Sequence, residues 1–230
     1  EASQVIHNEN SRVKIPALVH LTRLKYDYLS LKRYNGGICS ETNIFKSLFW
    51  AGINRINGCN LSEQEVDRLL EELTIKLSND DLGRAFYKIL LDGINGLRII
   101  DLEDDSRNTY HIVTELTYRN GEDEFRPDIT LLINWLPLAF VEVKKPNNRD
   151  GIIAEHNRIN TRFSKEVFRR FVNITQLMVF SNNMEYDDAD PEPIEGAFYA
   201  SSSYQKLFFN RFREEEPQLH TAIQEIDGQK

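Results

Sequence analysis

Two runs of β-forming residues, Asp128–Ile133 and Leu138–Lys144, joined by the short link Asn134-Trp135-Leu136-Pro137, constrain this chain more than any other stretch. Their length and their content of Ile, Leu, Val and Phe predict strands, and so short a link returns the chain antiparallel, as a β-hairpin. The register then decides what meets what. A two-residue turn sets Asp128 opposite Val141, a four-residue turn sets it opposite Val143, and a bulge brings it opposite Glu142. On the second strand the period of two sends Leu138, Phe140, Glu142 and Lys144 to one face and Ala139, Val141 and Val143 to the other. Two carboxylates and an ammonium are thus drawn together among apolar neighbours.

Unpaired charges beside an apolar core are costly, and a divalent cation removes that cost. Two carboxylate oxygens with a backbone carbonyl form a hard-oxygen site suited to Mg²⁺, which keeps several waters for exchange with substrate. Water near such an ion and an ammonium is easier to deprotonate and position, and the ion also stabilises charge building on a phosphate under in-line attack. The chemistry expected is phosphodiester hydrolysis. A competing reading makes Glu142 and Lys144 edge-strand charges that guard against aggregation, with Asp128 merely opening a strand after Pro127. The Pro-Asp pair one strand upstream, in a register that can meet Glu142, favours catalysis.

The remaining pattern supplies a domain for this hairpin. Ser40 caps a predicted helix carrying Ile44, Phe45, Leu48, Phe49 and Ile53. Ser62-Glu63-Gln64-Glu65 is a capping box, followed at helical spacing by Val66, Leu69, Leu70, Leu73 and Leu77. A third helix is expected from Asn79, with Asp80 and Asp81 at its positive end, burying Leu82, Phe86, Ile89 and Leu90 until Gly93 and Gly96 stop it. Short β-rich runs follow at Leu97–Ile100 and Tyr110–Tyr118. Beyond the hairpin, residues 152–171 read as a helix, Ile174–Phe180 and Gly196–Ala200 as strands, Asn182–Glu195 as an exposed loop, and Tyr204–Arg213 as a closing helix. Helices first, then strands with an intervening helix, give an α/β fold around a mixed sheet.

Composition excludes several classes. With 40% hydrophobic residues among 230 and a net charge of −8, the chain can build a core, and it does not bind nucleic acid by bulk positive charge. Local exceptions exist: residues 11–33 and 144–170 are basic, while 101–124 are acidic, and each run also reads simply as a solvated face. Cys39 and Cys59 supply neither a disulfide framework nor a zinc site, which fits a reducing, cytoplasmic setting. The most apolar stretch, Ile129 to Val143, is broken by Asn134, Pro137 and Glu142, so no membrane segment is expected. The amino end reads as a cut or mature fragment rather than a signal peptide. Trp50, Trp135, Tyr110, Tyr118 and Tyr204 are expected to pack rather than to stack on bases. The five histidines show no ligand or triad spacing, and no Ser/His/Asp arrangement or phosphate-cradling glycine loop is present.

Pro127-Asp128 followed by Glu142-Val143-Lys144 resembles the signature of the PD-(D/E)xK nucleases. More closely, RPDITLLINWLPLAFVEVKKPNN, RINTRFSKE and TQLMVFSNNMEYDD resemble the amino-terminal nuclease domain of the R (motor and cleavage) subunit of type I restriction enzymes, from Ser40 to about Tyr204. The resemblance implies a restriction-endonuclease-like α/β core over 40–213, a mixed sheet flanked by helices, preceded by a helical extension (1–39) and followed by an acidic linker (214–230). It implies that Asp128 and Glu142 bind Mg²⁺ (or Mn²⁺) with the Val143 carbonyl, and that Lys144 orients or activates the attacking water. Glu41 matches an acid the superfamily often places on its first core helix, a position that ordinary helix-dipole complementarity explains equally well. Lys145, Arg158 and Arg162 are the candidates for DNA contact. The Gln-x-x-x-Tyr element that R subunits tend to carry after the catalytic lysine has no match here. Implied partners are double-stranded DNA and the methyltransferase and specificity subunits. No G-x-x-x-x-G-K-[ST] loop occurs, so ATP binding and translocation are expected only of further domains of a full-length subunit. Two alternatives stay open: a non-catalytic docking module of the same complex, and a DNA-repair nuclease of the same superfamily.

Overall fold

The computed structural model describes residues 9, 13–144, 149–181, 197–200 and 208–210. Helix α1 (Ile15–Arg23) leads into the short strand β1 (Asp27–Tyr28), and α2 (Lys46–Asn57), α3 (Glu63–Leu77) and α4 (Arg84–Asp92) follow. Next come β2 (Tyr110–Thr114), β3 (Tyr118–Asn120), β4 (Asp123–Phe125), β5 (Ile129–Ile133) and β6 (Leu136–Val143). Helices α5 (Arg149–Phe163) and α6 (Arg169–Ile174) precede β7 (Leu177–Ser181), β8 (Ala197–Ala200) and β9 (Phe208–Asn210). Seven strands form one sheet in the order β1-β2-β5-β6-β7-β8-β9, and β3 with β4 make a separate hairpin. The sheet is mixed: β1–β2 and β6–β7 run parallel, and its other neighbours run antiparallel. The expected α/β architecture is therefore the observed one, and among the described residues no helix is long and apolar enough to cross a membrane.

Three apolar clusters hold the layers together. The largest joins Phe45, Phe49 and Ile53 around α2, Leu69, Leu73 and Leu77 of α3, and Phe86 of α4 to Leu132, Trp135 and Leu136 of the central hairpin. A second, largely aromatic cluster sets Ile159 of α5 and Phe171 of α6 against Tyr118, Phe125, Phe140 and Phe180. The third covers the opposite side of the central strands, where Val13, Ala17, Leu18 and Leu21 of the amino-terminal segment meet Ile112, Ile129, Val141 and Val143. The segment set apart as an extension thus contributes a helix, a strand and a buried valine to the same sheet.

Several sequence expectations are corrected. The capping box at Ser62 forms as expected, but the helix assigned to Ser40 begins only at Lys46, because residues 38–45 close a turn through an Ile38–Phe45 bridge. The helix assigned to Asn79 begins at Arg84: Gly83 takes a left-handed φ of 80°, Asp81 accepts from the Gly83 and Ala85 amides, and Leu82 is left exposed. Leu97–Ile100 forms no strand: Leu97 makes a single bridge back to Ile94 across the Asn95-Gly96 turn, and the chain then bends. The run Tyr110–Tyr118 breaks at Glu115, whose φ of 57° ends the extended chain. The helix expected over 152–171 stops at Phe163 and resumes at Arg169 after a 3-10 turn, and Ile174 closes α6 rather than opening β7. Within Tyr204–Arg213, residues 208–210 are strand, not helix, and the other residues of that range, with the whole loop assigned to 182–195 and the tail from 214, lie outside the described residues.

Candidate active site

The hairpin tip is buried rather than solvated. Asn134 and Trp135 both take positive φ, 49° and 69°, as a tight turn with the twist of the flanking strands requires. Asn134 holds the tip in place: its amide nitrogen donates to the Ile99 carbonyl and the Asn108 side chain, and its oxygen accepts from the Thr109 N–H. Trp135 stacks on His111 at 3.9 Å and packs on Phe45. From this tip Ile133 pairs with Leu136 and Leu132 with Pro137, after which the register slips past Leu138 to pair Leu131 with Ala139 and Ile129 with Val141. That slip is the bulge considered above. One place further along the shifted register, Asp128 comes opposite Glu142.

The two acids are held differently: Asp128 by backbone, Glu142 by burial. Asp128 Oδ2 accepts from the Val143 N–H at 2.9 Å, and the Asp128 carbonyl accepts from the Glu115 N–H. Its Oδ1 lies 3.7 Å from the Nζ of Lys14, a lysine at the start of α1 that is only 8% exposed and reaches Glu115 at 2.8 Å. Glu142 is 5% exposed, and its Oε1 has no hydrogen-bond partner among the described residues. Burial, the adjacent charge of Asp128 and a hydrogen bond to that same group push the Glu142 carboxyl up to about 9; Lys144 opposes the rise and Glu155 adds to it. Without a further cation beside it, Glu142 therefore keeps its proton at neutral pH.

Lys144 stands one residue beyond β6, its N–H donating to the Ser181 carbonyl and its Nζ 3.2 Å from Glu155 Oε2. Glu155, on α5, is 7% exposed, and its other oxygen accepts from the Arg158 guanidinium. Sequence reading passed over Glu155. One signal for it was present, because Glu155 lies one helical turn before Ile159, which is buried in the aromatic cluster, and so shares its inward face.

The remaining candidates are placed differently. Glu41 lies in the turn before α2, not on the helix, and pairs with Arg170, which also donates to Ser78 Oγ at 3.0 Å. The helix-dipole reading of Glu41 is thereby removed. Arg158 is engaged by Glu155, and Arg162 lies over the Phe125 ring at 5.1 Å to the centroid. Lys145 lies outside the described residues. Trp50 donates to the Leu61 carbonyl and Tyr118 to that of Val167, so both are packing groups as expected.

Among the described residues no cluster of three or more metal-ligating side chains occurs. Two facing carboxylates with an orphaned oxygen on Glu142 nonetheless fit a hard cation that takes one or two protein carboxylates and fills its remaining positions with water and substrate.

The sequence pattern of the family described as "Type I restriction enzyme R protein N terminus" matches residues 6–219, nearly the whole chain. The chain belongs to this family. It is 26% identical over 207 residues to the putative type I restriction enzyme MjaIXP endonuclease subunit of Methanocaldococcus jannaschii, covering 80% of this chain and 19% of that protein. Against the type I restriction enzyme HindI endonuclease subunit of Haemophilus influenzae the identity is 29% over 141 residues, 54% of this chain and 13% of the relative. The chain therefore spans less than a fifth of the length of these relatives. Residues 6–39, taken from sequence as an extension, lie inside the family match.

Proposed function

We propose that this chain is the Mg²⁺-dependent endonuclease domain of a type I restriction R subunit, hydrolysing DNA phosphodiester bonds once the motor of the complete subunit has delivered the duplex. The observation that carries the reading is the bulged register that brings Asp128 against a buried Glu142, whose Oε1 has no partner among the described residues, two residues before Lys144. Asp128 and Glu142 would hold the cation with the Val143 carbonyl. A divalent ion bound there neutralises charge on the phosphate and lowers the pKa of water. The chain's own part is to position. Val143 N–H and Lys14 fix the two oxygens of Asp128, burial excludes bulk water from Glu142, and Lys144 places an N–H donor beside the attacking water. Double-stranded DNA is the proposed substrate, and the methyltransferase and specificity subunits the proposed partners. A net charge of −8 suits a nuclease that relies on a motor rather than on its own affinity for DNA.

The test is DNA nicking by the assembled complex carrying Glu142→Ala or Lys144→Ala, with translocation monitored in parallel. Cleavage is expected to fall at least about 100-fold in each variant while translocation continues. Undiminished cutting in both would leave only a docking role.

A further inference from the structure

We propose that Glu155 is the positioning residue for the Lys144 ammonium, a role that rests on the nuclease reading above. Lys144 sits past the end of β6, and its side chain is 19% exposed at the mouth of the site. A lysine carries its charge on four rotatable carbons and is not held in one place by its own stereochemistry. The fixed anion within reach is Glu155, whose Oε2 is 3.2 Å from Nζ.

Glu155 is itself held from two directions. Arg158, one turn further along α5 and 57% exposed at its side chain, takes Oε1 through Nε at 3.0 Å and through its terminal nitrogen. This leaves Oε2 for Lys144. The helix that carries Glu155 is anchored by Ile159, buried in the aromatic cluster, and by Phe163, whose ring packs edge-on against Phe125 and Phe140. Phe140 is two residues before Glu142 on the same face of β6, so one rigid block of aromatic packing fixes α5 relative to both Glu142 and Lys144.

An acid buried to this degree is costly unless paired, and the pairing here runs Arg158–Glu155–Lys144, from the outer surface to the site. The consequence is directional: Glu155 acts on the reaction through Lys144 and not as a metal ligand. Removing it lets the ammonium swing toward solvent while Asp128 and Glu142 remain in place.

The experiment uses the full R subunit in its assembled complex, with Glu155→Ala, Glu155→Gln, Lys144→Ala and the Lys144→Ala/Glu155→Ala double variant in separate preparations and Glu142→Ala as control. Cleavage rate is measured against Mg²⁺ concentration, and translocation reports folding. Glu155→Ala is expected to lower the maximal rate about 10- to 100-fold and to move the half-saturating Mg²⁺ concentration less than about twofold. Glu155→Gln, whose amide oxygen still accepts from an ammonium, is expected to recover at least about threefold over Ala. In the Lys144→Ala background the Glu155→Ala change should cost nothing more, because the group it positions is gone. Three results overturn the proposal: wild-type cleavage by Glu155→Ala, a Mg²⁺ requirement raised by tenfold or more, or losses that multiply in the double variant. If Glu142→Ala and Lys144→Ala cut normally, the nuclease reading itself fails. If those two are dead and Glu155→Ala is normal, only the positioning role does.

Discussion

Glu142 illustrates how one residue responds to its surroundings. In the unfolded chain its carboxyl titrates near 4.5; in the fold, burial and Asp128 hold its proton to about 9. Between those values the folded state binds the extra proton, so the metal-free domain loses stability as pH rises through that window. Glu142→Gln mimics the protonated side chain and escapes the loss. In chelator, the two proteins are expected to have similar stability near pH 5, with the Gln variant ahead by roughly 3 kcal/mol at pH 7, from about 1.4 kcal/mol per pH unit. Urea unfolding at both pH values checks this, and equal stability at pH 7 would mean that Glu142 ionises freely. Asp128 and Lys144 were legible beside Glu142 because strand alternation assigns a face to each residue. Glu155 was harder to see, since its partner Lys144 is brought to it by packing rather than by sequence spacing.

At the scale of elements, sequence patterns succeeded where the stabilising contact is local. The capping box at Ser62 needs only Glu65, and α3 starts where the pattern says. They failed at α4, where the first turn is decided by a distant neighbour. Gly83 has a left-handed φ of 80°, and a Cβ there would stand 2.6 Å from the Asn173 carbonyl oxygen of α6. Asn173 in turn donates to the carbonyls of Leu77 and Asn79, tying the end of α3 to α6. Gly83→Ala is therefore expected to cost about 1–3 kcal/mol, read as a lowered urea midpoint with an unchanged slope, while cleavage by the complex persists. An unchanged midpoint would show that the backbones separate easily. The split of the helix predicted over 152–171 has the same origin: its apolar period continues, but Phe168 and Phe171 turn into the aromatic cluster, and the chain breaks to let them.

Over the whole molecule, the sheet divides the core, and the hairpin belongs to all three clusters: Leu132 and Leu136 to the helical layer, Phe140 to the aromatic block, Ile129 and Val141 to the face under α1. Phe171 of α6 ties the aromatic block together, meeting Tyr118, Phe125, Phe140 and Phe163 at centroid distances between 5.2 and 5.7 Å. Phe171→Ala is expected to destabilise the domain by about 3–5 kcal/mol and to lower cleavage beyond what the folded fraction explains, since α5 and Glu155 lose part of their seat. A rate that tracks the folded fraction alone would separate the block from the site.

Local pattern was enough for the hairpin, the shared face of Glu142 and Lys144, the α/β class and the family, because alternation and runs of apolar residues act over a few positions. The choice of register was made in three dimensions, where the bulge sets Asp128 opposite Glu142; so were the contacts by which Lys14 of the amino-terminal segment reaches Asp128, Glu41 pairs with Arg170, and Glu155 holds Lys144. Each of those contacts joins elements that meet through burial of their apolar faces. Such burial is non-directional, so it brings charges together without leaving a local mark of which will meet.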